Sequence, residues 1–199
     1  QRVLHTADPF VTGDIKNIDA SFFHLGPLLA NDIPLAMIQY LASKGNVSLD
    51  VQGYQRSVVN EEVVAIDWKD QLAALPYITI LKANEAEAEK LTGKTDSKEA
   101  AMMLAKHGVK EVVITLGSKG SLIYADNIFY EIPAITPVAT IDATGCGDTY
   151  MAGYLSQRLQ NKTITEAGLY GAAMASIKIA ASGPFSGTDA AIHSLLQSV

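Results

Sequence analysis

The sequence predicts an α/β fold: a three-layer α/β/α sandwich around a mainly parallel sheet. Two observations and one general rule carry that expectation. Short β-rich apolar runs alternate with stretches of helical period at the spacing of βαβ units. Right-handed crossovers stack such units into helix layers on both faces of one sheet. With 48% hydrophobic and 18% charged residues over 199 positions, the chain has enough apolar side chain to cover both faces.

In order, the first strand is read at residues 21–25, closed by Gly26 and Pro27. A helix follows at 33–43, with Ile33, Met37, Ile38 and Leu41 on one side, and Gly45-Asn46 is read as its C-cap. A strand at 47–50, an irregular segment through residue 60 and a short helix at 68–75 precede a strand at 77–81. Asn84 opens another helix, and a helix at 97–107 leads into a strand at 112–115. After the turn Gly117-Ser118-Lys119-Gly120 comes a strand at 121–124. Short strands at 129–132 and 139–141 surround a proline-bearing loop, and helices are read at 146–159, 164–181 and 189–197. No repeat or linker interrupts this order, so one domain is expected over residues 1–199. In such folds ligands bind beyond the carboxyl ends of the strands, which directs attention to the polar residues there.

Charge excludes several partners. Fifteen Lys+Arg against 21 Asp+Glu leave a net charge of -6, so no broad positive field exists to hold nucleic acid or anionic lipid. Neither a signal pattern nor an apolar run of membrane-spanning length is present, and a single cysteine forms no internal disulfide. A soluble cytoplasmic protein is the expectation. Any phosphate it handles must be held by local geometry.

The strongest local signal is Asp142-Ala143-Thr144-Gly145-Cys146-Gly147-Asp148-Thr149, directly before an amphipathic stretch. Backbone N–H groups at a helix start lack intrahelical partners and sit at the positive end of the dipole, so Gly145, Cys146 and Gly147 can cradle an oxyanion. A carboxylate beside such a cradle repels phosphate unless it has a task, and accepting a proton from an attacking hydroxyl is the obvious one for Asp148. The same spacing also fits a first-turn acid favoured by the helix dipole. A P-loop is absent, and the dinucleotide pattern fails because Tyr150 stands where its third glycine belongs. HExxH, CxxC and GxSxG are absent as well, which leaves zinc and serine-hydrolase chemistry without support.

This stretch resembles the signature of the ribokinase-like carbohydrate kinases, the PfkB family, usually D-T-x-G-A-G-D. Ala143 and Cys146 depart from it at positions expected to contribute mainly backbone. The resemblance implies that Asp148 is the catalytic base, that Gly145, Cys146 and Gly147 form the anion hole, and that Asp142 helps bind a monovalent cation such as K⁺. Asn84-Glu85-Ala86-Glu87 is similar to the family's N-x-x-E, which implies an outer-sphere Mg²⁺ role for Glu87 with Asn84 beside it. Asn at an N-cap with Glu three residues on is equally a capping box. Thr115-Leu116-Gly117-Ser118-Lys119-Gly120 resembles T-x-G-x-x-G, where Thr115, Gly117 and Gly120 approach the nucleotide, although a tight turn needs the same glycines. Gly183 resembles part of the wall around adenine. Asp50, Gln52 and Arg56 resemble the acceptor-binding stretch of some sugar and inositol kinases in the family, against the commoner reading of Arg56 as a surface arginine.

The implied activity is ATP-dependent phosphorylation of a hydroxyl on a sugar or related polyol, with ATP, Mg²⁺ and K⁺ as cofactors. Alternatives are a nucleoside kinase of the same fold, or a nucleotide-binding fragment without catalysis. The expected partner is a small molecule, without nucleic acid or membrane, and a homodimer is the candidate assembly. Family members open with a glycine-rich sugar-binding region and a small β lid. Neither is found after Gln1-Arg2-Val3, so the lid is expected to be absent or truncated.

Overall fold

In the computed structural model, which describes residues 2–197, the chain divides into two compact units. The first runs to Ile114 and takes back Tyr124–Ile128; the second holds Thr115–Ile123 and the chain from Phe129 onward.

The elements of the first part, in order, are α1 (Thr12–Ile15), β1 (Phe22–Leu25), α2 (Leu35–Lys44), β2 (Asn46–Asp50), β3 (Arg56–Val59), β4 (Glu62–Ala65), α3 (Gln71–Ala74), β5 (Ile80–Asn84), α4 (Glu85–Thr92), α5 (Ser97–Lys106) and β6 (Glu111–Thr115). The rest of the chain supplies β7 (Ser121–Ala125), β8 (Ile128–Ile132), α6 (Cys146–Leu159), α7 (Ile164–Ile179) and α8 (Asp189–Leu196). Six strands form one sheet in the order β1-β2-β5-β6-β7-β8, and β3-β4 form a separate pair. β1, β2 and β5 are parallel, with Leu25 opposite Leu49 and Asp50 opposite Lys82. Val47, Leu49, Leu81, Ile38 and Leu104 are sealed from solvent in the first unit, where α2 packs on β2, α4 on β5, and α5 against α4.

Local chemistry explains where sequence periodicity misplaced elements. Helix α2 begins after Pro34, whose extended conformation makes it the N-cap. Gly45 caps it at φ −172°, which is extended backbone and not a left-handed cap; glycine is required there because a Cβ would lie 2.6 Å from the Ala20 carbonyl oxygen. The segment expected to be irregular is a 3₁₀ turn over Val51–Gln55 followed by the β3-β4 hairpin. Its two-residue turn puts Asn60 and Glu61 at φ 49° and 65°, the primed hairpin geometry without the usual Asn-Gly. The strand expected at 77–81 lies three residues later, because Leu75–Tyr77 closes a 3₁₀ turn around Pro76. No strand forms at 139–141; the Ile141 and Asp142 N–H groups both donate to the Ile179 carbonyl, at 2.8 and 3.2 Å.

In the second unit α6 and α7 cross at glycines. A Cβ on Gly171 would lie 2.7 Å from the Tyr150 carbonyl oxygen, and one on Gly153 would lie 3.0 Å from Gly171 Cα. Among the described residues no helix is long and apolar enough to cross a membrane.

Candidate active site

Gly145 is the N-cap of α6 at φ +77°, a left-handed conformation that any side chain would strain. It turns the chain so that Cys146 starts the helix and Asp148, its third residue, stands exposed. The next two residues are buried. Tyr150 shares a 2.7 Å hydrogen bond with Ser121 Oγ, and burial pushes its phenol up to about 12, so it remains a neutral anchor for the first turn. A Cβ built on Gly145 would lie 4.0 Å from Asp148 Oδ2 and 3.9 Å from Lys178 Cε, so the carboxylate and the lysine stem flank the same turn.

The loop before α6 is clipped to the end of α7. Besides the two bonds to Ile179, Asp142 Oδ1 accepts from the Thr144 N–H at 2.9 Å, and the Cys146 N–H donates to Ala143 at 3.2 Å. The Thr144 N–H, then the Thr144 hydroxyl and more weakly Lys178, hold the Asp142 carboxyl below the usual carboxylate range. Burial raises the Cys146 thiol despite Lys178, and its Sγ lies 3.9 Å from the carbonyls of Asp142 and Ala175. Lys178 is 4% exposed; its Nζ donates to the Asp142 and Ala181 carbonyls at 3.2 and 3.3 Å and lies 3.9 Å from Asp142 Oδ2.

Thr115 ends β6, and a 3₁₀ turn over Gly117–Lys119 follows, closed by the Leu116 N–H on Gly120 at 2.8 Å. Gly120, at φ +98°, cannot take a side chain because a Cβ would run into the Ile132 carbonyl. Gly117 and Gly183 also have positive φ, but open space surrounds both.

The remaining predicted residues lie in the first unit. Asn84 and Glu87 form a full capping box: Asn84 Oδ1 accepts from the Glu87 N–H at 2.9 Å, and Glu87 Oε2 accepts from the Asn84 N–H at 2.8 Å. Gln55 Nε2 donates to the Glu87 carbonyl at 2.9 Å. Asp50, expected to contact an acceptor, is 5% exposed, paired with Lys82 Nζ at 2.8 Å and accepting from the Gln52 N–H at 3.1 Å. Burial raises the Glu87 carboxyl; the Asn84 N–H, Lys82 and Arg56 pull it down and Asp50 pushes it up. The fold therefore gathers Asp50, Lys82, Arg56, Asn84 and Glu87, while Gln52 and Arg56 remain half-buried.

Sequence reasoning missed two cations. Lys82 is the one charged residue of strand β5, and Lys178 sits near the end of a helix rich in Ala, Gly and Ile. A charge in an apolar element requires a partner, and that was the available signal. A cleft of about 540 Å³ lined by Trp68, Leu91, Leu104 and His107 contains none of the predicted residues.

The ion roles can be tested against these donors. Among the described residues no group of three or more His, Cys, Asp or Glu could hold a metal by itself. Glu87, whose Oε2 is engaged in the capping box, would reach a Mg²⁺ through water. Asp142 does not fit K⁺, because the Lys178 ammonium already lies against its carbonyl and carboxylate.

The chain is similar to several known kinases. The cytidine kinase of Thermococcus kodakarensis is 33% identical over 151 residues, covering 75% of this chain and 51% of that protein. A ribokinase of Arabidopsis thaliana is 32% identical over 143 residues, covering 69% of this chain and 35% of its own length. The chain thus spans about half, or less, of the length of these relatives. A pyrophosphate-dependent kinase in the ribokinase family, solved with a pyrophosphate analog and myo-inositol, superposes with a TM-score of 0.86 at 30% identity over 100% of this chain and 70% of its own. Arabidopsis thaliana ribokinase with ribose and ATP gives 0.75 at 26% identity, over 96% and 61%. The model of the pfkB family carbohydrate kinases matches residues 21–191, and on that extent, together with a ribokinase-like fold, the chain belongs to the pfkB family.

Proposed function

We propose that the chain is the donor-binding and catalytic portion of an ATP-dependent phosphotransferase acting on a hydroxyl of a sugar or related polyol. The observation that carries this reading is the exposed Asp148 beside the left-handed Gly145 turn at the start of α6. The Asp148 carboxylate takes the proton of the acceptor hydroxyl as that oxygen bonds to the γ-phosphorus, the bond to the β-phosphate oxygen breaks, and ADP leaves. Backbone N–H groups of Gly145, Cys146 and Gly147, with the α6 dipole behind them, carry the charge of the group in flight. The Cys146 N–H is shared with Ala143 O at a long 3.2 Å and must turn toward the anion to serve. In the first unit, Glu87 and Asn84 would hold a Mg²⁺ through water, and that ion would supply neutralisation of phosphate charge. In the second unit the nucleotide role is assigned to Thr115, Gly117, Gly120 and Gly183; in the first, the family resemblance assigns Asp50, Gln52 and Arg56 to acceptor recognition.

Acceptor-dependent ADP release, measured over a panel of sugars, polyols and nucleosides, tests this. Asp148→Asn is expected to lower turnover about 10²–10⁴-fold with donor affinity little changed. Near-normal turnover would remove Asp148 from the chemistry; donor binding without any turnover favours the non-catalytic alternative.

A second reading concerns the donor. The ribokinase-family kinase solved with a pyrophosphate analog and myo-inositol is pyrophosphate-dependent, so pyrophosphate in place of ATP is the competing donor. Acceptor-dependent phosphate release from pyrophosphate alone would select it. The cytidine kinase likeness likewise places nucleosides among the acceptors to be assayed.

A further inference from the structure

The Lys178 ammonium has the surroundings of a bound monovalent cation. Its stem is buried in the last turn of α7, where free helix carbonyls and the negative end of the dipole favour a cation. Two carbonyl oxygens accept from it, Asp142 at 3.2 Å and Ala181 at 3.3 Å, and the Asp142 carboxylate lies 3.9 Å away. Asp142 begins the loop that delivers Gly145, Cys146 and Asp148, and Lys178 Cε is 3.9 Å from the Cβ position of Gly145. A charge this deeply buried stays only if its oxygens stay with it, so the ammonium ties the start of the loop to the end of α7.

We infer that Lys178 is the built-in cation of the anion-hole loop, a positioning residue that takes the place of a diffusible K⁺ and makes the loop indifferent to monovalent ions. Oxygens already turned onto an ammonium cannot also coordinate K⁺, and the two like charges would repel at short range. Its catalytic consequence rests on the phosphotransferase reading, but the ion-binding consequence does not.

Direct binding therefore comes first. ²⁰⁵Tl⁺, a K⁺ mimic, is titrated into the unaltered chain and followed by NMR, and no site displaceable by K⁺ is expected. Lys178→Ala and Lys178→Met, which leave the same oxygens without an ammonium, are expected to gain one. Thermal scans in KCl and NaCl at equal ionic strength should coincide for the unaltered chain. For the variants the melting temperature should rise by about 5 °C in saturating K⁺ only. If acceptor phosphorylation is measurable, the variants should lose it and K⁺ should restore it in part, which loss of packing alone would not allow. A K⁺-displaceable Tl⁺ site in the unaltered chain would overturn the inference, as would variants that fold and gain neither Tl⁺ binding nor K⁺ stabilisation. Absence of phosphorylation with the ion-binding pattern intact would count against the phosphotransferase reading alone.

Discussion

At Glu87 two roles compete for one carboxylate. Its Oε2 closes the capping box, while burial raises its proton affinity above that of an ordinary glutamate. The folded state then binds this proton more tightly than the unfolded one, so stability falls as pH rises from the ordinary glutamate value through the raised one and is flat beyond. At neutral pH the buried charge is a cost to folding. Glu87→Gln keeps an acceptor for the Asn84 N–H and removes the charge, so it should melt at or above the parent at pH 7, the difference closing below about pH 4. Thermal scans at both pH values check this, and a variant that melts lower at pH 7 would reverse the sign assigned to burial. Asp50 and Lys82 are the opposite case, two charges 6% exposed that satisfy each other across neighbouring strands. Lys82→Met alone leaves a buried unpaired carboxylate and should cost about 3–5 kcal/mol, most of it recovered on adding Asp50→Asn, as a double-mutant cycle in urea would read.

Helices α6 and α7 set the position of Asp148, and they approach closely because neither crossing residue has a side chain. In Gly171→Ala the added methyl meets the Tyr150 backbone at 2.7 Å and its ring at 3.3 Å, atoms that cannot rotate away. Alanine's better helix propensity returns about 1 kcal/mol, less than the about 1–3 kcal/mol that overpacking a tight contact costs. The expected result is a lower urea midpoint with an unchanged m-value. Turnover should fall too, because Tyr150 lies one half-turn beyond Asp148 and is fixed on Ser121. An unchanged midpoint would mean that the two helices can move apart freely.

For the whole chain, a net charge of -6 provides no broad positive field, so the proposed donor site would rest on local backbone amides. Donor affinity, measured by calorimetry at 50 and 200 mM salt, should change less than about tenfold, whereas a polybasic phosphate binder making many contacts loses about 10³ or more. The helix expected at 146–159 is found at Cys146–Leu159, and the glycine-bounded Asp148 motif falls at its start, because capping glycines and apolar period are local properties that composition along the chain records. The strand at Ile80–Asn84 and the β3-β4 hairpin escaped the same reading. Pro76 and the left-handed Asn60-Glu61 turn decide them, and neither carries a strong periodic signal. By itself the sequence determined the α/β class, the family resemblance and the order of the motifs. The tertiary structure alone decided that Asp50 is spent on Lys82, that Gly171 must be glycine and that Lys178 stands against Asp142. Each of these depends on which residues distant in sequence share one desolvated space, and residue spacing does not encode that.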